Sequence, residues 1–243
     1  MLQKIHAHVR DIADCGINLD FAFHRFVRIL DRRLGSRFPE SVFHGEERAR
    51  AWSSEKHLVP YMVLDRDACF VDVGANKGLW TIWIARKGCE VHAFEPNPLT
   101  FRILKRRSRH FPTITLHCCA LGEKQGTALL HIHRQSGHDG LVRTYEDYEG
   151  VKMRVPVKTI DGCDLSNVGL IKIDTEGYEL PILNGAVKTI CRNSPRLIIE
   201  VHGDYQSQMS MMYDFLLPLG YRAHILLKST KQPQLVCDKK TPD

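Results

Sequence analysis

Two short stretches of this 243-residue chain concentrate side chains able to handle charge, protons and close ligand contact. The first runs Phe70-Val71-Asp72-Val73-Gly74-Ala75-Asn76-Lys77-Gly78, with Glu95 following 21 residues after Gly74. A glycine at a strand-to-helix turn lets the backbone approach a ligand that a β-carbon would hold off. The helix expected after Gly78 offers free N–H groups to polar ligand atoms. A carboxylate at Glu95 can accept hydrogen bonds from both hydroxyls of a ribose. Further along, Cys119-Ala120-Leu121-Gly122 supplies small side chains between which a planar base can slide. The candidate ligand-binding set is therefore Asp72, Gly74, Ala75, Asn76, Gly78, Glu95, Pro96, Ala120 and Leu121, joined by Asp174 from the second stretch.

The second stretch, Ile171-Lys172-Ile173-Asp174-Thr175-Glu176-Gly177-Tyr178-Glu179, puts three carboxylates just beyond an apolar run. Open α/β sheets bind ligands at such strand ends. Asp174, Glu176 and Glu179 would repel one another unless something positive sat among them: a sulfonium, a divalent metal, or a Lys or Arg from elsewhere. Glu200 and His202, two apart at another strand end, share a face and can converge on the same volume. Moving a methyl group to a hydroxyl needs oxygen, carbon and sulfur in line and a base to take the proton. His202 is the expected base, supported by Asp174 and Glu200, because an ordinary imidazole pKa of about 6.5 leaves much of it neutral. A second reading has Asp174, Glu176, Glu200 and His202 bind a divalent cation such as magnesium, which would acidify the acceptor hydroxyl. His138, in the loop Gln135-Ser136-Gly137-His138-Asp139-Gly140, is the second-choice base or an acceptor contact. His131 and His133 share one strand face but lack a third ligand at a recognisable spacing, and read as ordinary strand histidines.

Asn76 separates two nucleoside chemistries. It stands where a G-x-G-x-x-G dinucleotide fingerprint has its second glycine, and would crowd a pyrophosphate. An acid ahead of the glycines also suits a cation better than a phosphate. S-adenosylmethionine carries an ammonium and a sulfonium and no phosphate, so it fits Asp72 better than a dinucleotide does.

The elements that must hold these residues follow from hydrophobic spacing. Residues 3–34 carry apolar positions at helical intervals, broken near Gly16, so residues 1–60 read as a helical N-terminal extension. From Cys69 short apolar runs alternate with helical segments, which implies an α/β domain over 61–228 with a mostly parallel central sheet and helices on both faces. Thr115 to Leu121 reads as one third strand, and residues 180–191 as one helix. Residues 126–160 break the alternation with two strands around the polar loop 134–150, a small antiparallel insertion. The tail, 229–243, reads as an edge strand and a loose end.

Composition narrows the class. At 43% hydrophobic and 26% charged the chain is an ordinary globular protein, and its net charge of +6 favours acidic partners only weakly. The basic run Arg102, Lys105, Arg106, Arg107 and Arg109 follows apolar Leu99, Ile103 and Leu104, and describes a helix's wet face. No aromatics interleave with it, which disfavours nucleic acid. No apolar stretch reaches membrane-spanning length, and the first residues lack the apolar core of a secretory signal. Eight cysteines without a C-x-x-C pair read as reduced thiols. A cytoplasmic protein is expected.

Taken together, FVDVGANKG, VHAFEPNP, CCALG, LIKIDTEGYELPILNGA and LIIEVHG resemble the FkbM family of S-adenosylmethionine-dependent methyltransferases. The similarity spans residues 60–225, and E-G-x-E after K-I-D is its most specific part. The resemblance implies a Rossmann-like class I methyltransferase fold and O-methylation of a hydroxyl on a sugar, glycolipid or polyketide-type small molecule. By position it puts Asp72, Gly74, Asn76, Glu95 and Asp174 around the cofactor, and Glu176, Glu179, Glu200 and His202 towards the acceptor. Lys77 departs from the small or aliphatic residue common there, and loop 134–150 lacks the family's serine-rich look. Residues 1–60 match no pattern and are expected to cap the acceptor site or form a homodimer surface. Two other functions compete: methylation of an RNA ribose or a protein side chain, and a non-catalytic binding or assembly protein that kept the fold.

Overall fold

The computed structural model describes residues 55–132, 141, 151–226 and 233–239. The chain divides into two compact units, Met1–His57 and Leu58–Asp243, and the architecture below belongs to the second. The helices expected over 3–34, His133, His138 and nearly all of the loop around it lie outside the described residues.

Seven strands form the main sheet: β1 (Cys69–Val73), β2 (Glu90–Phe94), β3 (Ile114–His117), β7 (Val168–Ile173), β8 (Arg196–Glu200), β9 (Tyr221–Leu226) and β10 (Gln234–Lys239). Their order is β3-β2-β1-β7-β8-β10-β9. Every pairing is parallel except those of β10, which runs antiparallel to both neighbours. β1 and β8 carry apolar residues on both faces because both faces are covered: all five residues of β1 are buried, as are Leu197, Ile198 and Ile199. One core layer gathers Val71, Val73, Ile171, Ile173 and Ile199, and the other Phe70, Trp80, Val91, Leu170 and Ile198.

Five helices connect these strands among the described residues: α1 (Leu79–Ala85), α2 (Pro98–Ser108), α3 (Glu179–Asn184), α4 (Val187–Asn193) and α5 (Tyr205–Leu216). The start of α2 is written in Asn97-Pro98: the Asn97 side chain accepts from Leu99 N at 2.9 Å, and proline at the first helical position has no N–H to leave unsatisfied. The insertion is a second sheet of order β4-β6-β5, in which β4 is Ala120–Leu121 and β5 (Gly126–Ile132) runs antiparallel to β6 (Val151–Lys158), as the alternation break implied.

Three expectations are corrected. The third strand stops at His117, and Ala120–Leu121 forms β4, paired in parallel with β6 in the second sheet. The helix expected over 180–191 is two: α3 ends at Asn184, and α4 is capped from outside by Asp161, whose carboxylate accepts from Lys188 N at 3.0 Å and Thr189 N at 2.8 Å. The tail strand is not an edge. β10 threads between β8 and β9, burying Leu235, Val236 and Cys237 completely, because the antiparallel return completes the sheet and leaves β9 outermost.

Candidate active site

Strand order reverses at β1: β2 and β3 lie to one side of it, β7 and β8 to the other. The C-terminal ends of these strands surround the crevice where doubly wound sheets bind ligands. A cleft of about 660 Å³, counting its open mouth, lies there. Its wall includes Gly74, Asn76, Glu95, Pro96, Ala120, Leu121, Asp174 and Glu176 from the expected set. Thr175 and Tyr178 also line it.

Five backbone positions in the two turns have positive φ, and two of them are not glycine: Asn76 (φ 49) lies between Gly74 (φ 76) and Gly78 (φ 82), and Glu176 (φ 56) precedes Gly177 (φ 103). Gly74 is required by a close approach, but of protein to protein. A β-carbon there would stand 1.9 Å from the Asp174 carbonyl oxygen, so the glycine lets the ends of β1 and β7 touch. Gly78 does the same for α1 and α2, since its β-carbon would lie 2.5 Å from Leu104 Cδ1. Both glycines build the crevice; Gly74 alone lines it.

Glu95 fastens the two turns beside it. One carboxylate oxygen accepts from Asn76 N at 2.9 Å and the other from Asn97 N at 2.8 Å. Asp72, by contrast, is buried and accepts from the Thr81 hydroxyl at 2.5 Å. It does not line the cleft, so the acid preceding the glycines braces α1 and gives way to Glu95, Asp174 and Glu176 as the cleft's charges. Ala75 is buried in the core under the turn.

The positive partner demanded by the three clustered carboxylates is His202, helped by a residue that spacing alone did not single out. Lys172, buried on β7, reaches Asp174 Oδ2 at 2.9 Å. Its signal was present in the sequence: a lysine inside the apolar run Leu170-Ile171-Lys172-Ile173 cannot be buried without an acid. His202 donates from Nδ1 to Glu179 Oε1 at 2.9 Å, and its Nε2 lies 3.5 Å from Glu176 Oε2 and 3.9 Å from Asp174 Oδ1. Burial alone would lower the His202 pKa. The Glu179 hydrogen bond and the charges of Asp174, Glu179 and Glu176 outweigh it and raise the pKa to about 9.

A pKa raised to about 9 favours the imidazolium at neutral pH, and that form has no lone pair to take a proton. His202 is also 3% exposed and absent from the cleft wall. The carboxylates expected to raise its basicity favour its charged form instead. Glu179, almost fully buried, is its anchor, and also accepts from Gly177 N at 2.9 Å. Glu200 ends β8 with its carboxylate accepting from Gln234 Nε2 at 3.1 Å, outside the cleft wall.

Glu176 is also shifted upward, which for an acid favours the neutral form. Burial pushes its carboxyl up to about 7, opposed by His202 and reinforced by Asp174, Glu200 and Glu179. Three of the four residues considered for a divalent cation, Asp174, Glu176 and His202, each bring one donor atom within 4.8 Å of the others; Glu200 is not of the group.

The cleft wall has a one-sided chemistry. Its polar atoms are mostly acceptors: the carboxylates of Glu95, Asp174 and Glu176, and Asn76 Oδ1, which is buried without a hydrogen-bond partner. No Lys or Arg lines it among the described residues. Such a wall suits hydroxyls and cationic groups and opposes a pyrophosphate.

Residues 72–223 match the family described as the methyltransferase FkbM domain. Methyltransferase 1 of the fungus Beauveria bassiana is 26% identical over 145 residues, covering 49% of this chain and 58% of the relative. The crystal structure of a methyltransferase FkbM from Methylobacillus flagellatus superposes with a TM-score of 0.54 at 21% identity, over 72% of this chain and 44% of that one. An rRNA methylase from Streptococcus thermophilus shares the fold at a TM-score of 0.50 and 13% identity, over 76% of this chain and 96% of its own. The chain thus spans about half the length of the first two relatives.

Proposed function

This chain belongs to the FkbM methyltransferase family, and we propose that it moves a methyl group from S-adenosylmethionine to a hydroxyl of a sugar, glycolipid or polyketide-type small molecule. The observation that carries the choice of donor is the acceptor-lined cleft at the switch point. Glu95, fixed by two backbone N–H groups, keeps lone pairs for the ribose hydroxyls. The unpartnered Asn76 Oδ1 and the Asp174 carboxylate suit the donor's ammonium, and Ala120 and Leu121 form an apolar wall for its base. When bound, the donor supplies a methyl group activated on a sulfonium.

The hydroxyl acceptor is favoured by the carboxylates gathered beyond β7. A neutral alcohol must lose its proton during transfer, and the site holds an acid–base group beside the cleft. Magnesium at Asp174, Glu176 and His202 is the second reading, favoured by the convergence of their donor atoms. A cytoplasmic setting agrees with the free thiols of the described cysteines, and no described helix is long and apolar enough to cross a membrane.

The linkage formed tests the acceptor. Incubation with S-adenosylmethionine and a panel of glycosides and polyols should give products one methyl heavier whose new bond survives mild base, as an ether does. Methylation confined to amines, carboxylates or RNA would contradict the hydroxyl assignment.

A further inference from the structure

We propose that Glu176 accepts the acceptor's proton during methyl transfer, with His202 and Glu179 acting behind it as positioning residues. The proposal rests on the methyltransferase reading above and assigns the base within it.

Three carboxylates line the cleft, and two of them are held by hydrogen bonds. Glu95 spends an oxygen on each of two backbone N–H groups, and Asp174 is bridged by the buried Lys172 ammonium. Glu176 carries Oε2 buried and without a hydrogen bond, at 8% residue exposure. That state costs free energy, and so does its backbone: a glutamate at φ 56 lies in the left-handed region, which residues with a β-carbon rarely adopt. Two independent penalties fall on one residue at the cleft wall.

The surroundings explain how both are tolerated and what they accomplish. The positive φ, next to Gly177, points the chain back so that Glu176 lines the cleft while Oε2 lies 3.5 Å from His202 Nε2. His202 cannot move away, because its other nitrogen donates to Glu179. A buried imidazolium thus faces the Glu176 carboxylate without reaching the cleft itself. Glu176 is thus the cleft-wall carboxylate with an oxygen that no hydrogen bond holds, placed where it can accept a proton from a bound hydroxyl.

The step balances simply. As a lone pair of the acceptor oxygen forms the bond to the methyl carbon, the carbon–sulfur bond breaks with its pair going to sulfur. The hydroxyl proton passes to the Glu176 carboxylate. The sulfonium is neutralised to a thioether, and the proton later leaves to solvent through the open cleft.

The test compares Glu176→Gln with wild type. Glutamine keeps the shape of the protonated side chain, so the variant should bind S-adenosylhomocysteine within about threefold of wild type and lose turnover by about 100-fold or more. Glu176→Ala should regain part of its turnover with added formate, a readout that a merely structural residue would not give and that remains should the glutamine variant misfold. His202→Gln should lose less turnover than Glu176→Gln. A Glu176→Gln enzyme with more than a third of wild-type turnover would overturn the assignment. So would loss of all wild-type turnover on chelation with restoration by magnesium, which would give these residues to a metal. Failure of wild-type protein to bind S-adenosylhomocysteine would instead remove the methyltransferase reading on which the proposal stands.

Discussion

At the scale of single residues, the site turns on which of two neighbouring groups holds a proton. His202 sits among Glu179, Glu176 and Asp174 and is driven towards the charged form, while Glu176 is driven by burial towards the neutral one. An isolated histidine two residues from a glutamate gives no hint of this, because the decisive contact, His202 to Glu179, spans 23 positions in sequence. The raised His202 pKa is also a statement about stability. Unfolded, the imidazole titrates near 6.5; folded, near 9, so the native state holds the proton more tightly. The stabilisation from its ion pairs is complete below about pH 6.5 and is lost as pH rises through about 9. Urea unfolding of wild type and His202→Gln should therefore differ most at pH 6, by about 3 kcal/mol for a buried pair losing one partner. The two should draw together by pH 10. A difference constant across that range would show that folding leaves the His202 pKa unshifted.

At the scale of elements, the sequence disclosed what was local and concealed what was long-range. The turn after β1 and the E-G-x-E segment were both readable, because their glycines mark the backbone conformation directly. What Gly74 makes room for was not readable. Its neighbour is the Asp174 carbonyl, 100 residues on, and only the β1–β7 pairing brings them together. The division of residues 180–191 into α3 and α4 was hidden for the same reason, since the cap comes from Asp161. Gly74→Ala should consequently damage the fold as well as ligand binding. A β-carbon 1.9 Å from a carbonyl oxygen, at φ 76, forces the two central strands apart. A cost of at least about 3 kcal/mol is expected, lowering Tm by about 10 °C at roughly 2–4 °C per kcal/mol for a domain of this size. Thermal unfolding followed by circular dichroism checks it; an unchanged Tm would mean that the strand ends do not meet as described.

At the scale of the whole molecule, alternation of strands and helices was enough to reach the α/β class and the FkbM resemblance, both of which stand. It was not enough to place β10. A short run near a chain end reads as an edge whether it lies outside the sheet or completes it, and only the antiparallel pairing to both β8 and β9 decides. Nor did the net charge of +6 forecast the cleft, whose wall is acceptors and carboxylates with no described Lys or Arg. That wall is what distinguishes a cationic nucleoside from a dinucleotide, and the central claim rests on it. Isothermal titration of the folded protein with S-adenosylhomocysteine and, separately, with NAD puts it to the test. The account predicts one-to-one binding of S-adenosylhomocysteine, weakened at least about tenfold in Glu95→Ala, and no binding of NAD; a folded protein that binds NAD and ignores S-adenosylhomocysteine would contradict it.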